Sequence, residues 1–512
     1  MAVARWLGAL RPVGKRADGR TFALASLRQT LARLAPRLVA ALAGSYAIGA
    51  LAYVSFLRIR YPYDLEWMEG GSLVHVERVL RGAPLYTAPS LDWTPYIYTP
   101  LYWYVSAGFA KVMGLSLFPL RLVSLLATGV SLLTIYASVR RGGSRFSGFL
   151  AAALFAATFR LSGSWFDLAR PDMLACAFGC TAIWLLGTAS TSTGRAAVAG
   201  LLLAGAVLSK QTWLVAASAV VVASTLERPR RATPLAAGFA LPLATVTLLA
   251  HRSTGGWSTY YTLTLPFRHE VVKGAFEAFI VYDLARNYGP VVCLAVAAFA
   301  LLPRERRRFF AIVTLGGVGS ALSARVHSGA YDNVLIPGYA VLSMLAGRAV
   351  AEVDRDRATG DGRNALGVVA LTAVVVQLAG LHYDVSAEIP TRNDRVAGRR
   401  VVAALRAQKS DVWVPYHAAY CLAVNRPCHA HWMAMNDVLR GGDHEAREIL
   451  RASMRKTLAS GRIGAVLTDD TFGGEIAPLV ERYYPKRTPL AGEPGPTPKT
   501  GFITKPVELR SR

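Results

Sequence analysis

From position 61 the chain reads Tyr-Pro-Tyr-Asp-Leu-Glu-Trp-Met-Glu-Gly-Gly, which places three carboxylates, Asp64, Glu66 and Glu69, within six positions. A carboxylate beside an attacking hydroxyl takes its proton or orients it. Three other clusters carry groups that suit an anion: Asp167, Arg170 and Asp172; Lys210 with Gln211; and Arg325, His327, Tyr331, Asp332 and Asn333. Lysine or arginine stabilises a departing phosphate. A phosphate is acidic enough to leave without a strong general acid, so cations matter more here than a second proton donor. The chemistry these residue types suit is transfer of a group from a phosphate to a hydroxyl.

Each cluster also has a plainer reading. If a helix starts at Asp64, that residue is its N-cap, Glu66 and Glu69 share a face, and acids there stabilise the helix without any further role. Pro171 and Asp172 suit a helix start. Lys210 lies between two short apolar runs and needs an anion, water or a snorkelling path. A polar turn at 325–333 needs no function at all. What decides between these readings is whether the elements of the chain bring the clusters to one place.

The 512 residues are only 17% charged, with a mean hydropathy of +0.33, too apolar for an ordinary soluble domain. The net charge of +25 is spread as short arginine clusters between apolar runs rather than along one basic face, which argues against nucleic acid and for positive-inside membrane topology. Residues 1–37 hold Arg5, Arg11, Lys15, Arg16, Arg20, Arg28, Arg33 and Arg37 against Asp18. They read as a cytoplasmic tail ahead of a signal-anchor helix, since no small-residue cleavage site follows.

Apolar runs suited to membrane helices fall at about 38–57, 119–139, 146–162, 171–188, 196–209, 212–226, 232–250, 288–302, 309–324, 334–351 and 364–382, about eleven spans. The aromatic stretch 97–115 is interrupted by Pro100. Read as a juxtamembrane helix with Tyr98, Tyr102, Trp103 and Tyr104 at headgroup level, it leaves every arginine-rich loop, at 140–145, 228–231, 304–308 and 355–363, on the cytoplasmic side. The same parity places 58–118, 163–170, 252–287, 325–333 and the C-terminal segment outside. All four polar clusters then share one face of the cytoplasmic (inner) membrane.

After residue 383 the chain is more polar and alternates strand-like runs (412–415, 463–467) with a helical one (443–458), as expected of a small α/β domain. The expected architecture is mainly α: a cytoplasmic tail (1–37), a polytopic membrane helix bundle (38–383) and an extracytoplasmic α/β domain (384–512). Cys176, Cys180 and Cys293 read as packing residues, while Cys421 and Cys428 are placed for a disulfide in an oxidising compartment. The final residues, rich in Pro, Gly, Lys and Thr, read as loosely ordered.

The order of motifs over residues 38–350 resembles the GT-C glycosyltransferases, in the branch of protein O-mannosyltransferases and lipid A aminoarabinose transferases. The resemblance rests on the acidic first loop ending in Arg78-x-x-x-Gly82-x-x-x-Tyr86, the Thr99-Pro100-Leu101-Tyr102-Trp103-Tyr104 helix, and Arg121 opening the next span. It continues through Ala169-Arg170-Pro171-Asp172, Leu208-Ser209-Lys210-Gln211-Thr212, and Asn333 ahead of Leu335-Ile336-Pro337. It implies a polyprenyl-phosphate-linked sugar donor, an acceptor hydroxyl on a glycan, lipid or protein, inversion at the anomeric carbon, and a catalytic first-loop acid. Where the family shows adjacent Asp-Glu, this chain has Met68-Glu69, so Glu69 and Asp64 rank ahead of Glu66 as the base. Lys210, Arg170, His327 and Asn333 are the implied donor-phosphate ligands. The resemblance leaves a divalent metal (Mg or Mn) open, with Asp167 and Asp172 as its ligands.

Two other functions fit parts of the sequence. A ligase or polymerase-type transferase with a diphosphate-linked donor would use several external arginines, and Arg170, Arg268, Arg286 and Arg325 are available. A lipid or solute transporter would show inverted repeats and charges at mid-bilayer, whereas the charges here cluster at span ends.

Overall fold

The computed structural model describes residues 19–187, 192–358, 364–490, 492 and 494–512. Residues 1–18 of the basic tail and 359–363 of the last arginine-rich loop lie outside these. The membrane part begins with α1 (Gly19–Arg58), α2 (Glu69–Leu80), α3 (Leu101–Met113), α4 (Leu117–Arg140) and α5 (Arg145–Ala157). It continues with α6 (Asp172–Leu186), α7 (Thr193–Ser209), α8 (Leu214–Glu227) and α9 (Ala232–Ser253), followed by helices at Arg304–Arg325, Ile336–Ala358 and Asn364–Gly380. Among the described residues five helical segments are long and apolar enough to cross a membrane: Leu34–Arg58, Leu117–Arg140, Pro229–Ser253, Ala275–Leu301 and Asp332–Arg355. Shorter apolar helices, among them Asp172–Leu186 and Thr193–Ser209, pack between them.

The arginine-rich loops gather at one end of the bundle. Arg37 pairs with Asp354 at 2.7 Å, Arg306 with Glu227 at 3.2 Å, and Arg355 donates to the carbonyl of Gly142. The loop after α1, the turn before α6, the α7–α8 break and the segment 325–335 meet at the other end, under the C-terminal domain. The segregation of charge read from the sequence is thus also a segregation in space.

Three local expectations change. The first-loop helix starts at Glu69, with Met68 as its N-cap, so Asp64 is not a cap and Glu66 does not share a helical face with Glu69. The cause is the Glu69 carboxylate, which accepts from Leu65 N at 2.7 Å and holds the preceding residues in a turn. In α3, Tyr104 faces outward at 56% exposure, whereas Tyr102 and Trp103 are buried in the bundle. Tyr102 reaches the carbonyl of Leu120, so only part of this aromatic set sits at the surface. The helix read as 288–302 belongs to a longer one, Ala275–Leu301, whose π-helical stretch carries Asp283 and Arg286. Those charges break the apolar pattern, yet Arg325 grips Asp283 with bonds of 2.8 and 3.0 Å, which removes the cost of an unpaired charge at that depth.

The C-terminal domain is a four-stranded mixed sheet in the order β1-β2-β4-β3, from β1 (Asp411–Trp413), β2 (Ile463–Asp469), β3 (Lys486–Pro489) and β4 (Pro506–Ser511). The parallel pair β1 and β2 is joined through helices Trp432–Gly441 and His444–Ala459, as a parallel crossover requires. Asp443 caps the second of these by accepting from Ala446 N at 2.8 Å. A disulfide joins Cys421 and Cys428. Cys176 and Cys180 are buried, and Cys293 is exposed on its helix. The expectation of a loose tail fails from residue 499 onward. Thr500 and Thr504 are buried, and β4 lies between β2 and β3.

Sidedness is open to direct test. In a variant with Cys176, Cys180 and Cys293 replaced and the disulfide kept, Ser253→Cys and Arg487→Cys should react with an impermeant maleimide on intact cells. Arg304→Cys should react only after permeabilisation, and labelling of 304 from outside would invert the topology.

Candidate active site

The three first-loop acids enter three different environments. Glu69, at the start of α2, is fully buried against Arg121 of α4: Nε donates to Oε1 at 2.9 Å and Nη2 to Oε2 at 2.6 Å. Leu65 N and Ala169 N, each at 2.7 Å, complete its shell. Against the cost of its own burial, Arg121 and these donors hold its carboxyl below the usual range. Its acceptor capacity is spent.

Asp64 is 5% exposed and takes one bond, from His417 Nδ1 at 3.1 Å. His417 follows β1 and also bonds Asp469, at the end of β2, through Nε2 at 2.8 Å. Both ring nitrogens face carboxylates, so against the cost of burial Asp469 and then Asp64 push the imidazole up to about 10. A carboxylate at each ring nitrogen favours the imidazolium form. Burial pushes the Asp64 carboxyl up, with His417 opposing.

Glu66 lines a cavity of about 710 Å³ between the membrane bundle and the C-terminal domain. Among the described residues its Oε2 has no hydrogen-bond partner; it lies 3.6 Å from Arg170 Nη1, which has none either. Burial pushes this carboxyl up to about 8, with Arg170 opposing and Glu69 adding to the rise. Arg170 is fixed by a bond from Nη2 to Tyr98 Oη at 2.8 Å and by the rings of Tyr96, Tyr98 and Trp165, whose centres lie 5.8, 5.2 and 5.4 Å from its guanidinium carbon. Its Nε is also unpartnered.

Lys210, Asn333 and His327 line the same cavity. Lys210 ends α7, and the anion it requires is Asp172 at the start of α6. Asn333 donates to the same carboxylate at 2.8 Å and Trp165 Nε1 at 3.0 Å. His327 bonds the carbonyl of His269 at 2.9 Å. Asp167 lies apart, held by Arg58 through Nε at 2.6 Å and through Nη2. Asp167 and Asp172 are therefore each committed to a different cation. Among the described residues no group of three or more His, Cys, Asp or Glu is arranged to hold a metal ion. The residues present do not fit a divalent-metal site.

Several groups in and around the cavity were not marked as site residues by the sequence: Tyr98, read there as a headgroup-level aromatic, His269, Asp437 and residues 499–502. Asp437 is buried beside Arg440, and His269 Nε2 lies 3.6 Å from it. For His417 and Asp469 a signal existed, because both follow the carboxyl ends of adjacent parallel strands, where ligand-facing residues collect.

Towards the bundle surface the cavity is walled by Leu214, Val215, Leu263 and Phe267, three of them exposed on the apolar side of the fold.

Lys210→Met strands Asp172 in a buried site and should lower stability by about 3–5 kcal/mol. Adding Asp172→Asn should recover part of that loss in thermal unfolding, which a merely snorkelling lysine would not show.

With this geometry in place, residues 97–253 match the family model for dolichyl-phosphate-mannose-protein mannosyltransferases. The fold is similar to that of ArnT from Cupriavidus metallidurans bound to undecaprenyl phosphate, with a TM-score of 0.59 at 12% identity over 90% of this chain and 97% of that one. It is also similar to ArnT in the apo state, with a TM-score of 0.58 at 14% identity over the same shares. No curated protein matches the sequence. By fold and by the matched segment, the chain resembles the GT-C superfamily of glycosyltransferases.

Proposed function

We propose that this protein is a membrane glycosyltransferase that moves a sugar from a polyprenyl-phosphate donor to an acceptor hydroxyl on the extracytoplasmic side. The observation that carries the reading is the unfilled pair at 3.6 Å, Glu66 Oε2 and Arg170 Nη1, inside a cavity with an apolar wall toward the lipid. The carboxylate oxygen and the two guanidinium nitrogens that lack hydrogen bonds among the described residues border one cavity, where a hydroxyl can approach the first and a phosphate oxygen the second. The undecaprenyl phosphate bound by the structurally similar ArnT supports a lipid-phosphate donor.

In the reaction the acceptor oxygen bonds to the anomeric carbon from the face opposite the phosphate, and its proton passes to Glu66. The bond from that carbon to the phosphate oxygen breaks, and its electrons remain on the phosphate, which Arg170 stabilises. Lys210 spends one of its three protons on Asp172 and keeps the others for the same anion, with His327 alongside. Asp64 and Glu69 fix the backbone on either side of Glu66 rather than accept the proton. Inversion follows from this single displacement.

A diphosphate-linked donor fits less well. Arg268 is paired with Asp443 at 2.9 Å and Arg325 with Asp283 and Asp332, while Arg286 lines a separate cavity with them. Among the described residues two guanidinium groups line this cavity, Arg170 and Arg440, and Arg440 is paired with Asp437, which leaves Arg170 to meet one phosphate.

Incubation with a panel of polyprenyl-phosphate sugars should release polyprenyl phosphate, detected by mass spectrometry. Glu66→Gln should lower turnover by about a hundredfold or more, the scale of a lost general base, while Asp64→Asn and Glu69→Gln act mainly on folding. Full turnover in Glu66→Gln would remove the base from this position.

The rate should also depend on pH in a defined direction. A base works ionised, so kcat/KM should rise with a midpoint near the value of about 8 for the free protein, a limb that Glu66→Gln lacks. Stability runs the other way. The folded carboxyl titrates above its unfolded range, so its contribution is present below about 4.5 and is lost as pH rises toward about 8. Glu66→Gln escapes that loss and should gain in Tm over the parent between pH 6 and pH 9, which a pH series of unfolding scans measures.

A further inference from the structure

Near the C-terminus, residues 499–502 cross directly over the first-loop acids. Lys499 N and Thr500 N donate to the carbonyl of Leu65 at 2.7 and 3.2 Å, and Thr500 forms a parallel bridge with Glu66. Thr500 Oγ1 donates to the carbonyl of Gly163 and lies 3.2 Å from Tyr331 Oη, to which Gly501 N donates at 3.3 Å. The segment thus ties the first loop to the turn before α6 and to the 325–335 segment. Lys499 is anchored from behind by Asp394 at 3.0 Å.

Gly501 has φ +76°, a conformation other residues rarely adopt, and a Cβ there would lie 2.7 Å from Glu66 Cγ and 3.0 Å from its Oε1. The backbone comes this close to the Glu66 side chain only because the position is glycine. Phe502, 46% exposed, lines the cavity beside Trp67 with ring centres 5.3 Å apart. From the same domain His417 holds Asp64, while Thr504 Oγ1 bonds the Asp469 carboxylate that supports His417 at 3.1 Å. The C-terminal domain therefore touches three consecutive residues: the side chain of Asp64, the carbonyl of Leu65 and the side chain of Glu66.

We propose that residues 499–502 are a positioning element of the active site, in which Thr500 and Gly501 hold the Glu66 carboxylate against Arg170 and Phe502 bounds the space beside it where the acceptor enters. The membrane bundle and the C-terminal domain then form one catalytic unit. The inference rests on Glu66 as the base. The groups that act on Glu66 are Arg170 from the turn before α6, Asp64 and Glu69 from its own segment, and Tyr96 and Tyr98 ahead of α3. Thr500, Gly501 and Phe502 do not titrate, so a changed pH profile on altering them reports displacement of Glu66.

The test compares Gly501→Ala, Thr500→Val, Thr500→Ser and Phe502→Ala in the full-length protein, with unfolding temperature, kcat, donor KM and the pH midpoint of kcat/KM measured for each. Gly501→Ala should lower kcat by about tenfold to a hundredfold, the scale of a displaced catalytic group, and move the pH midpoint while donor KM stays near the parent value. Thr500→Val should do the same to a smaller extent and Thr500→Ser should restore activity, since it keeps the hydroxyl that bonds Gly163. Phe502→Ala should act on acceptor KM. Should Gly501→Ala not fold, the Thr500 pair carries the same comparison. Folded variants with parental kcat and pH midpoint would overturn the proposal while Glu66→Gln is inactive. A fully active Glu66→Gln would instead remove the assignment of the base.

Discussion

The buried pair of Arg121 and Glu69 is the interaction on which the remainder of the site depends. Both side chains are fully buried, a placement that costs several kcal/mol per ion unless the remaining donors and acceptors are met. Here they are met by backbone: Arg121 donates to the carbonyls of Arg58, Tyr61 and Tyr63, and Glu69 accepts from Leu65 and Ala169. One ion pair thereby fixes the end of α1, the whole approach to α2, the top of α4 and the turn before α6. A second buried pair, Arg58 with Asp167, closes the same knot from the other side.

That knot explains how three acids within six residues come to differ so widely. Glu69 is saturated, Asp64 is bound through one oxygen to His417, and Glu66 is the one of the three that lines the cavity. Environment alone separates them, as it does wherever neighbouring carboxyl groups take different roles. Because Leu65 is held at its N–H by Glu69 and at its carbonyl by Lys499 and Thr500, the peptide before Glu66 has little freedom to turn. The acid that faces the cavity is the one the knot leaves without a structural task.

The cavity joins two kinds of surface. Its bundle side is apolar toward the lipid and carries Arg170 and Lys210, while its other side brings Trp432, Tyr416 and Asp437 from the C-terminal domain. Neither part of the chain encloses the space alone. The close approach at Gly501 and the His417 bridge mean that the two parts meet through polar contacts of defined geometry as well as through apolar packing.

The apolar helices, the separation of the arginine-rich loops from the polar clusters and the strand and helix runs after residue 383 are legible in the sequence, because hydropathy and charge bias are local properties that survive without contacts. Motif order also grouped Arg170, Lys210 and Asn333, and these line one cavity. Tertiary structure decided which acid faces the cavity. The sequence favours Glu69 by register, yet a residue some fifty positions away, Arg121, occupies it. Tertiary structure also identified Asp172 as the partner of Lys210 and turned an apparently loose tail, rich in Pro and Gly, into a wall of the site. Such facts depend on which distant groups satisfy which buried charges, and no window of sequence records that.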